Sequence, residues 1–410
     1  MHVVIFEDSF WTGFAPLALS RPVFMLSCGM GTLLERQIEM LKPTRLTLWV
    51  RPQMAELCRR HVVPGLQIPT TVNEPLDDEH AMLVAAGAVD ATVDIPAGHL
   101  VTAANAQRIQ FAHIERKPGL SHDDALNHTD AWLSLLNLPR ASHSVPVAES
   151  LWHLVGASQE MLIADFARWK DRPNHWKDGP YHVIDAQSIR LGQGAKLSPG
   201  CVLDASRGPI VVDEGASIGA NAVVQGPCYI GKHSTIHPLA LIRPGTSIGM
   251  HCKLGGEVSN SIVCDYTNKA HDGFLGDSYL GSWVNLGAGT TTSNLKNTYG
   301  EVTMRIGVRE YKTGRTMLGS LIGDHTKTAI GTRLNTGSYV GYNCLLAGNG
   351  LSPTFIPSFT FWTADRTQRY DLKKASEVAD KVMHRREKAW TDLDQSIQQY
   401  VADTAPTIET

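Results

Sequence analysis

Residues 218–254 read IGANAVVQGPCYIGKHSTIHPLALIRPGTSIGMHCKL. Ile218, Val224, Ile230, Ile236, Ile242, Ile248 and Leu254 follow one another at intervals of six, and glycine follows Ile218, Ile230, Ile248 and Leu254. Self-similarity at so short a period decides the architecture. A six-residue unit is one short strand and a tight turn, so three units close a triangular coil with its aliphatic residues inside and its glycines at the turns. The stretch predicts a left-handed parallel β-helix of hexapeptide repeats.

The beat returns at Leu280-Gly281 and Leu286-Gly287, and again from Ile322-Gly323 through Leu334, Val340-Gly341 and Leu346. It slips twice between these runs. The larger interruption, residues 293–317 (SNLKNTYGEVTMRIGVREYKTGRTM), is expected to leave a corner of the prism as a loop that either lies over a site or is a solvated excursion.

Upstream of residue 180 the texture changes. Val3 to Phe6 and Arg45 to Val50 read as strands, and Thr32 to Leu41 as a helix with a Thr32/Glu35 capping box and an apolar face of Leu33, Leu34, Ile38 and Leu41. Strand, helix, strand implies an α/β domain with a partly parallel sheet. Residues 171–180 (DRPNHWKDGP) break both patterns and read as a linker. The expected domains are 1–175 (α/β), 180–350 (β-helix) and 351–410. In the last, Val378, Val382, Trp390, Leu393, Ile397 and Val401 predict one helix over about 371–402 that packs back on the protein.

Composition excludes several classes. With 410 residues, 43% hydrophobic and 19% charged, the chain reads as a globular protein of more than one domain. A formal charge of -3 without Lys/Arg runs offers no field for nucleic acid or a membrane surface, so small molecules are the expected partners. MHVVIFEDSF lacks the features of a signal peptide, and no segment reaches the roughly 18 apolar residues that span a bilayer. A cytoplasmic protein is expected. The seven cysteines form no C-x-x-C pair and read as packed, reduced thiols, with no metal-ligand set.

The segment 268–294, NKAHDGFLGDSYLGSWVNLGAGTTTSN, resembles the acetyltransferase segment of the bifunctional glucosamine-1-phosphate acetyltransferase/N-acetylglucosamine-1-phosphate uridyltransferase family. Lys269, Ala270, His271, Phe274, Leu275, Gly276 and Asp277 carry the first part of the pattern, and Asn285 to Thr290 the second. Arg243-Pro244-Gly245 and Thr313-Gly314-Arg315 extend the likeness. The resemblance implies a trimer of two-domain chains, a nucleotidyltransferase domain followed by the β-helix, using acetyl-CoA and an amino-sugar 1-phosphate.

It implies His271 as the general base, a role suited to an imidazole that titrates near neutrality. Arg243 matches the arginine on the acceptor's phosphate, Asn285 and Asn294 the asparagines at acceptor sugar and acyl donor, and Phe274 stands at the position of a tyrosine that meets the acceptor. Gly287, Ala288 and Gly289 would serve the acyl donor, with a backbone amide for the thioester oxygen. Lys296, Lys312 and Arg315 would complete the anion pocket. Ser259 stands where the family has a basic residue.

In the N-terminal domain the opening IFED and PLALSRPVFMLSCGMGTLLER resemble a short nucleotidyltransferase domain of the same family. The G-x-G-T-R loop is replaced by a segment with Gly13 alone. The usual lysine after proline is Val23, which leaves Arg21 as the candidate cation, with Asp8 and Glu7 as candidate nucleotide or Mg²⁺ contacts. No second acidic ligand can be placed in LVAAGAVDATVD. Two functions remain open: N-acetylation of an amino-sugar 1-phosphate, with nucleotidyl transfer to give UDP-N-acetylglucosamine, and a regulatory or scaffold protein that keeps the architecture without catalysis. A γ-type carbonic anhydrase would need three histidines converging on zinc; His233, His237, His251 and His271 do not have that spacing.

Overall fold

The computed structural model describes residues 1–410 apart from 79, 91–94, 103–107, 116–118, 142–145, 349 and 364. Two compact units emerge, Met1–Leu26 with Gly31–Ser150, and Ser27–Met30 with Leu151–Thr410.

In the first unit, six strands form one sheet in the order Thr70–Val72, Arg45–Trp49, His2–Phe6, Ala81–Ala85, Ile109–Ile114, Leu100–Thr102. The first four are parallel, and Ile109–Ile114 runs antiparallel to both of its neighbours. All five residues of His2–Phe6 are buried, as a central parallel strand requires. The expected helix spans Leu33–Leu41, with Thr32 and Glu35 closing the capping box. Strand order reverses at His2–Phe6, so the crevice beyond Phe6 is where open α/β sheets bind ligands.

The second unit is a parallel β-solenoid with three faces. One face holds nine strands from Ile189–Leu191 to Phe355–Ile356, and another holds six from His182–Ile184 to Phe274–Gly276. The remaining face runs from Lys196–Leu197 through Asn268–Lys269 to Lys327–Thr328 and beyond, joined by bridges through Asn285. Ile218, Val224, Ile230, Ile236, Ile242, Ile248 and Leu254 are each 0% exposed, so the predicted beat is the axis of the prism. Each such side chain contributes about 1.5–3 kcal/mol of burial.

Coil length is not constant. Ile218 pairs with Ile236, but Leu254 pairs with Lys269 and Val258 with Leu275, so those coils are shortened. Beyond the insertion, Leu280 pairs directly with Ile322. The insertion holds a hairpin, Thr303–Ile306 against Arg309–Lys312, with Val302, Met304 and Ile306 buried. One corner carries a ladder of rings in which His233, His251, Tyr266, Trp283 and His325 stack in sequence, closest between Tyr266 and Trp283 at 4.2 Å.

The tail corrects one expectation. It forms two helices, Leu372–His384 and Asp392–Ile408, because Glu387 adopts a left-handed φ of 57° and Thr391 with Asp394 starts a new helix through its own capping box. At the C-terminal end the Glu409 carboxylate accepts from Tyr339 Oη (2.8 Å), Ser358 Oγ (2.7 Å) and Ser358 N (2.7 Å). All seven cysteines are buried, and none is joined to another by a disulfide among the described residues. Among the described residues no helix is long and apolar enough to cross a membrane.

Candidate functional site

The strand Asn268–Lys269 ends one face, residues 270–273 turn the corner, and Phe274–Gly276 opens the next face. Alternation along that strand sends Leu275 into the axis and leaves Phe274 and Gly276 outward. His271 is exposed on the turn. Its carbonyl is held from inside, since Lys269, 2% exposed, donates from Nζ to His271 O (2.9 Å) and Gly255 O (2.8 Å). Burial pulls the Lys269 ammonium down to about 8. The Gly255-Gly256 turn stacks on this corner so closely that a Cβ on Gly255 would lie 2.4 Å from Ala270 O and 3.5 Å from His237 Cβ. His237 is therefore a neighbour of His271, and burial, then Lys253 and His271, push its pKa below the usual histidine value.

At the far end of the same face lies a cavity of about 500 Å³. Arg207, Arg243 and Arg315 reach it from three segments. Arg243 pairs with Glu257 at 2.9 Å, but both are well exposed, and such a pair is weak. Buried Asp277 anchors the wall, accepting from Asn260 Nδ2 on one oxygen and from Asn294 Nδ2 on the other, each at 2.7 Å. The Phe274 ring lies over Gly276, where a Cβ would meet it at 2.4 Å. His271 thus precedes the strand Phe274–Gly276, and Arg243 follows the strand Leu241–Ile242, two strands away on the same face.

Other expected residues lie elsewhere. Asn285 is exposed on a different face and lines a second cavity. Lys296 donates from Nζ to Glu301 O at 2.6 Å within the insertion. The Gly287 amide bonds Thr328 O (3.2 Å) and Thr328 Oγ1 (3.0 Å), and the Gly289 amide bonds Asp272 O (3.1 Å), so two of the three amides that could supply the donor to a thioester oxygen are turned to neighbouring coils. Ala288, between them, gives its carbonyl to Gly331 N.

In the first unit, Glu7 and Asp8 follow the central strand into the crevice beyond Phe6, yet both are engaged. Arg51 Nε lies 3.1 Å from Glu7, which also accepts from Val23 N (2.9 Å). Arg108 grips both oxygens of Asp8 (2.6 and 3.3 Å), and Asp8 also caps the backbone at Phe10. Arg21 gives its carbonyl to Arg51. Among the described residues no three His, Cys, Asp or Glu side chains form a metal set, and these two acids do not fit a Mg²⁺ site. Residues 91–94 of LVAAGAVDATVD lie outside the described residues.

Residues 3–173 match the sugar nucleotidyl transferase family, and residues 209–244 match the bacterial transferase hexapeptide repeats. The bifunctional protein GlmU of Methanococcus vannielii is 36% identical over 228 residues, covering 55% of this chain and 54% of that protein. GlmU of Synechococcus elongatus is 28% identical over 236 residues, covering 52% and 48%. These matches support a GlmU-like family. The chain spans about half the length of the curated relatives it matches. A solved Arabidopsis UDP-N-acetylglucosamine acyltransferase shares 12% identity over 58% of this chain and 93% of its own, with a TM-score of 0.29.

The sequence motifs do not include Arg207, Gln159 and Asn260 of the cavity wall. Arg207 stands before the regular beat begins, and Gln159 belongs to the helix Leu151–Phe166, upstream of the repeats. Asn260 follows a shortened coil, where it has a left-handed φ of 43° and binds Asp277.

Proposed function

We propose that the solenoid unit transfers an acetyl group from acetyl-CoA to the amine of an amino-sugar 1-phosphate, glucosamine 1-phosphate being the first choice. One observation carries this reading: exposed His271, its carbonyl held by Lys269, precedes the strand Phe274–Gly276, and Asp277 at the other end of that strand lines a cavity bearing three arginines. A sugar phosphate can lie along this face with its anion at Arg243, Arg315 and Arg207, which brings its amine toward His271. His271 takes the amine proton as the C–N bond forms and the C–S bond of the thioester breaks, releasing the thiol of CoA.

The position of Asn285 on another face accords with a site completed by a neighbouring prism, and we propose a homotrimer on that ground. The decisive assay follows free thiol released from acetyl-CoA with glucosamine 1-phosphate, comparing the wild type with His271→Ala. Turnover that His271→Ala leaves intact, or none with any amino-sugar phosphate, refutes the proposal.

For the first unit, the proposed activity is uridylyl transfer to N-acetylglucosamine 1-phosphate. The match over residues 3–173 and the crevice at the strand reversal support it. The arginine-bound Glu7 and Asp8 favour the second reading, an architecture kept without catalysis. Pyrophosphate release from UTP, N-acetylglucosamine 1-phosphate and Mg²⁺ separates the two.

A further inference from the structure

Five rings stack at one corner of the solenoid, and the stack follows from the backbone. His233, His251, Tyr266, Trp283 and His325 all adopt a left-handed φ between 56° and 61°. Each of the last four donates its amide to the carbonyl that precedes the ring below: His251 N to Lys232 O (2.8 Å), Tyr266 N to Met250 O (2.9 Å), Trp283 N to Asp265 O (3.2 Å) and His325 N to Ser282 O (3.0 Å). Like turns one strand spacing apart, about 4.8 Å, set the rings face to face. His233 and His251 lie 5.0 Å apart and 21° from parallel, and Tyr266 lies 4.9 Å from His251 on its other face.

The link between the two tail helices reaches this corner. Arg386 donates from Nη2 to Asn268 Oδ1 at 2.9 Å, and the Trp390 ring stands against His325 at 5.6 Å and 77°. Burial, then His233, then Arg386 and Lys388, hold His251 below the usual histidine value. The acids nearby serve other groups: Asp265 Oδ1 accepts from Met250 N (2.8 Å), Asp324 Oδ1 from Ser282 N (2.7 Å), and Glu214 pairs with Lys232 (3.1 Å). Glu387, in the link itself, is exposed. The tail therefore meets the histidines with its cations. The docked chain binds fewer protons at His251 than the undocked one, so docking weakens as pH falls through the usual histidine range.

We propose that this ladder is a proton-operated latch for the tail. When His251 and His233 take up protons, they repel each other and the cations of Arg386 and Lys388, and the link 385–391 leaves the corner. The Arg386–Asn268 bond and the Trp390–His325 contact break with it. The coils themselves stay closed, because Ile248, Leu254 and Val263 on their axis carry no charge. The latch stands apart from the acetyl transfer proposed for His271.

Hydrogen exchange of the full chain, read by mass spectrometry at pH 5.5 and 7.5 and normalised to the intrinsic rate at each pH, tests it. Protection of residues 385–391 is expected to fall about tenfold or more at pH 5.5, while the strands Thr246–Ile248 and Ile262–Val263 keep theirs. The double variant His233→Phe/His251→Phe keeps flat rings at turns like those of Tyr266 and Trp283 but takes up no proton, and its tail is expected to stay protected at both pH values. His251→Arg places a permanent charge in the ladder and is expected to free the tail already at pH 7.5. Four results overturn the proposal: a wild-type tail equally protected at both pH values, a loss at pH 5.5 that the double variant shares, strands lost together with the tail, or a tail still held at pH 7.5 in His251→Arg.

Discussion

At the scale of single residues, the reading of His271 separates from that of its neighbours. His271→Ala should lower kcat by about 10²- to 10⁴-fold, the usual worth of a general base, with the acceptor's KM little changed. Arg243→Ala should instead act on KM for the acceptor, and initial-rate kinetics over a range of acceptor concentration distinguishes the two. Lys269 and Lys327 make a different prediction. Burial holds both at about 8, below the ordinary lysine value of 10.5, so the folded chain binds fewer protons than the unfolded one between those limits. Stability from this source therefore rises with pH from about 8 toward 10.5. Replacing either lysine by methionine should flatten that rise, as measured by denaturant unfolding at pH 7.5 and 10. His271 and Arg243 stand out in the sequence because a motif of neighbours surrounds each. The engagement of Glu7 and Asp8 does not, since Arg51 and Arg108 stand 44 and 100 residues further along the chain.

At the scale of elements, the aliphatic beat made the prism readable because each repeat answers to the one above it through a single buried side chain. What the beat leaves out is the length of each turn. The Gly255-Gly256 corner shortens one coil and sets the height of the His271 turn, so Gly255→Ala should do two things at once. It should cost about 1–3 kcal/mol through overpacking against Ala270 O, and it should lower kcat by moving His271. Thermal unfolding and turnover of the same variant test both. The tail shows the opposite failure: Val378, Val382, Trp390 and Leu393 kept enough apolar spacing to read as one helix, while Glu387 and the Thr391 cap divide it. Thr391→Ala should cost about 1 kcal/mol, seen as a lower unfolding midpoint.

At the scale of the whole molecule, one short segment departs from the order of the chain. Ser27–Met30 belongs with the solenoid unit although its flanking residues do not. The segment is tied there by Tyr279 Oη to Ser27 O (2.8 Å), Ser247 Oγ to Gly29 O (2.6 Å) and Met30 N to Asp165 Oδ2 (2.8 Å). Tyr279→Phe should therefore destabilise the solenoid unit by about 1 kcal/mol, measured in the full chain by denaturant unfolding. No periodicity announces such a contact, because the segment repeats nothing.

The Glu409 carboxylate that grips Ser358 and Tyr339 has a mechanical meaning. A prism in which every coil rests only on the next unravels from an end when pulled, one coil per step. Held by its carboxyl terminus in an optical trap, the chain would have to part this clasp before the last coil could peel, so the first force peak belongs to Glu409 and the sawtooth behind it to the coils.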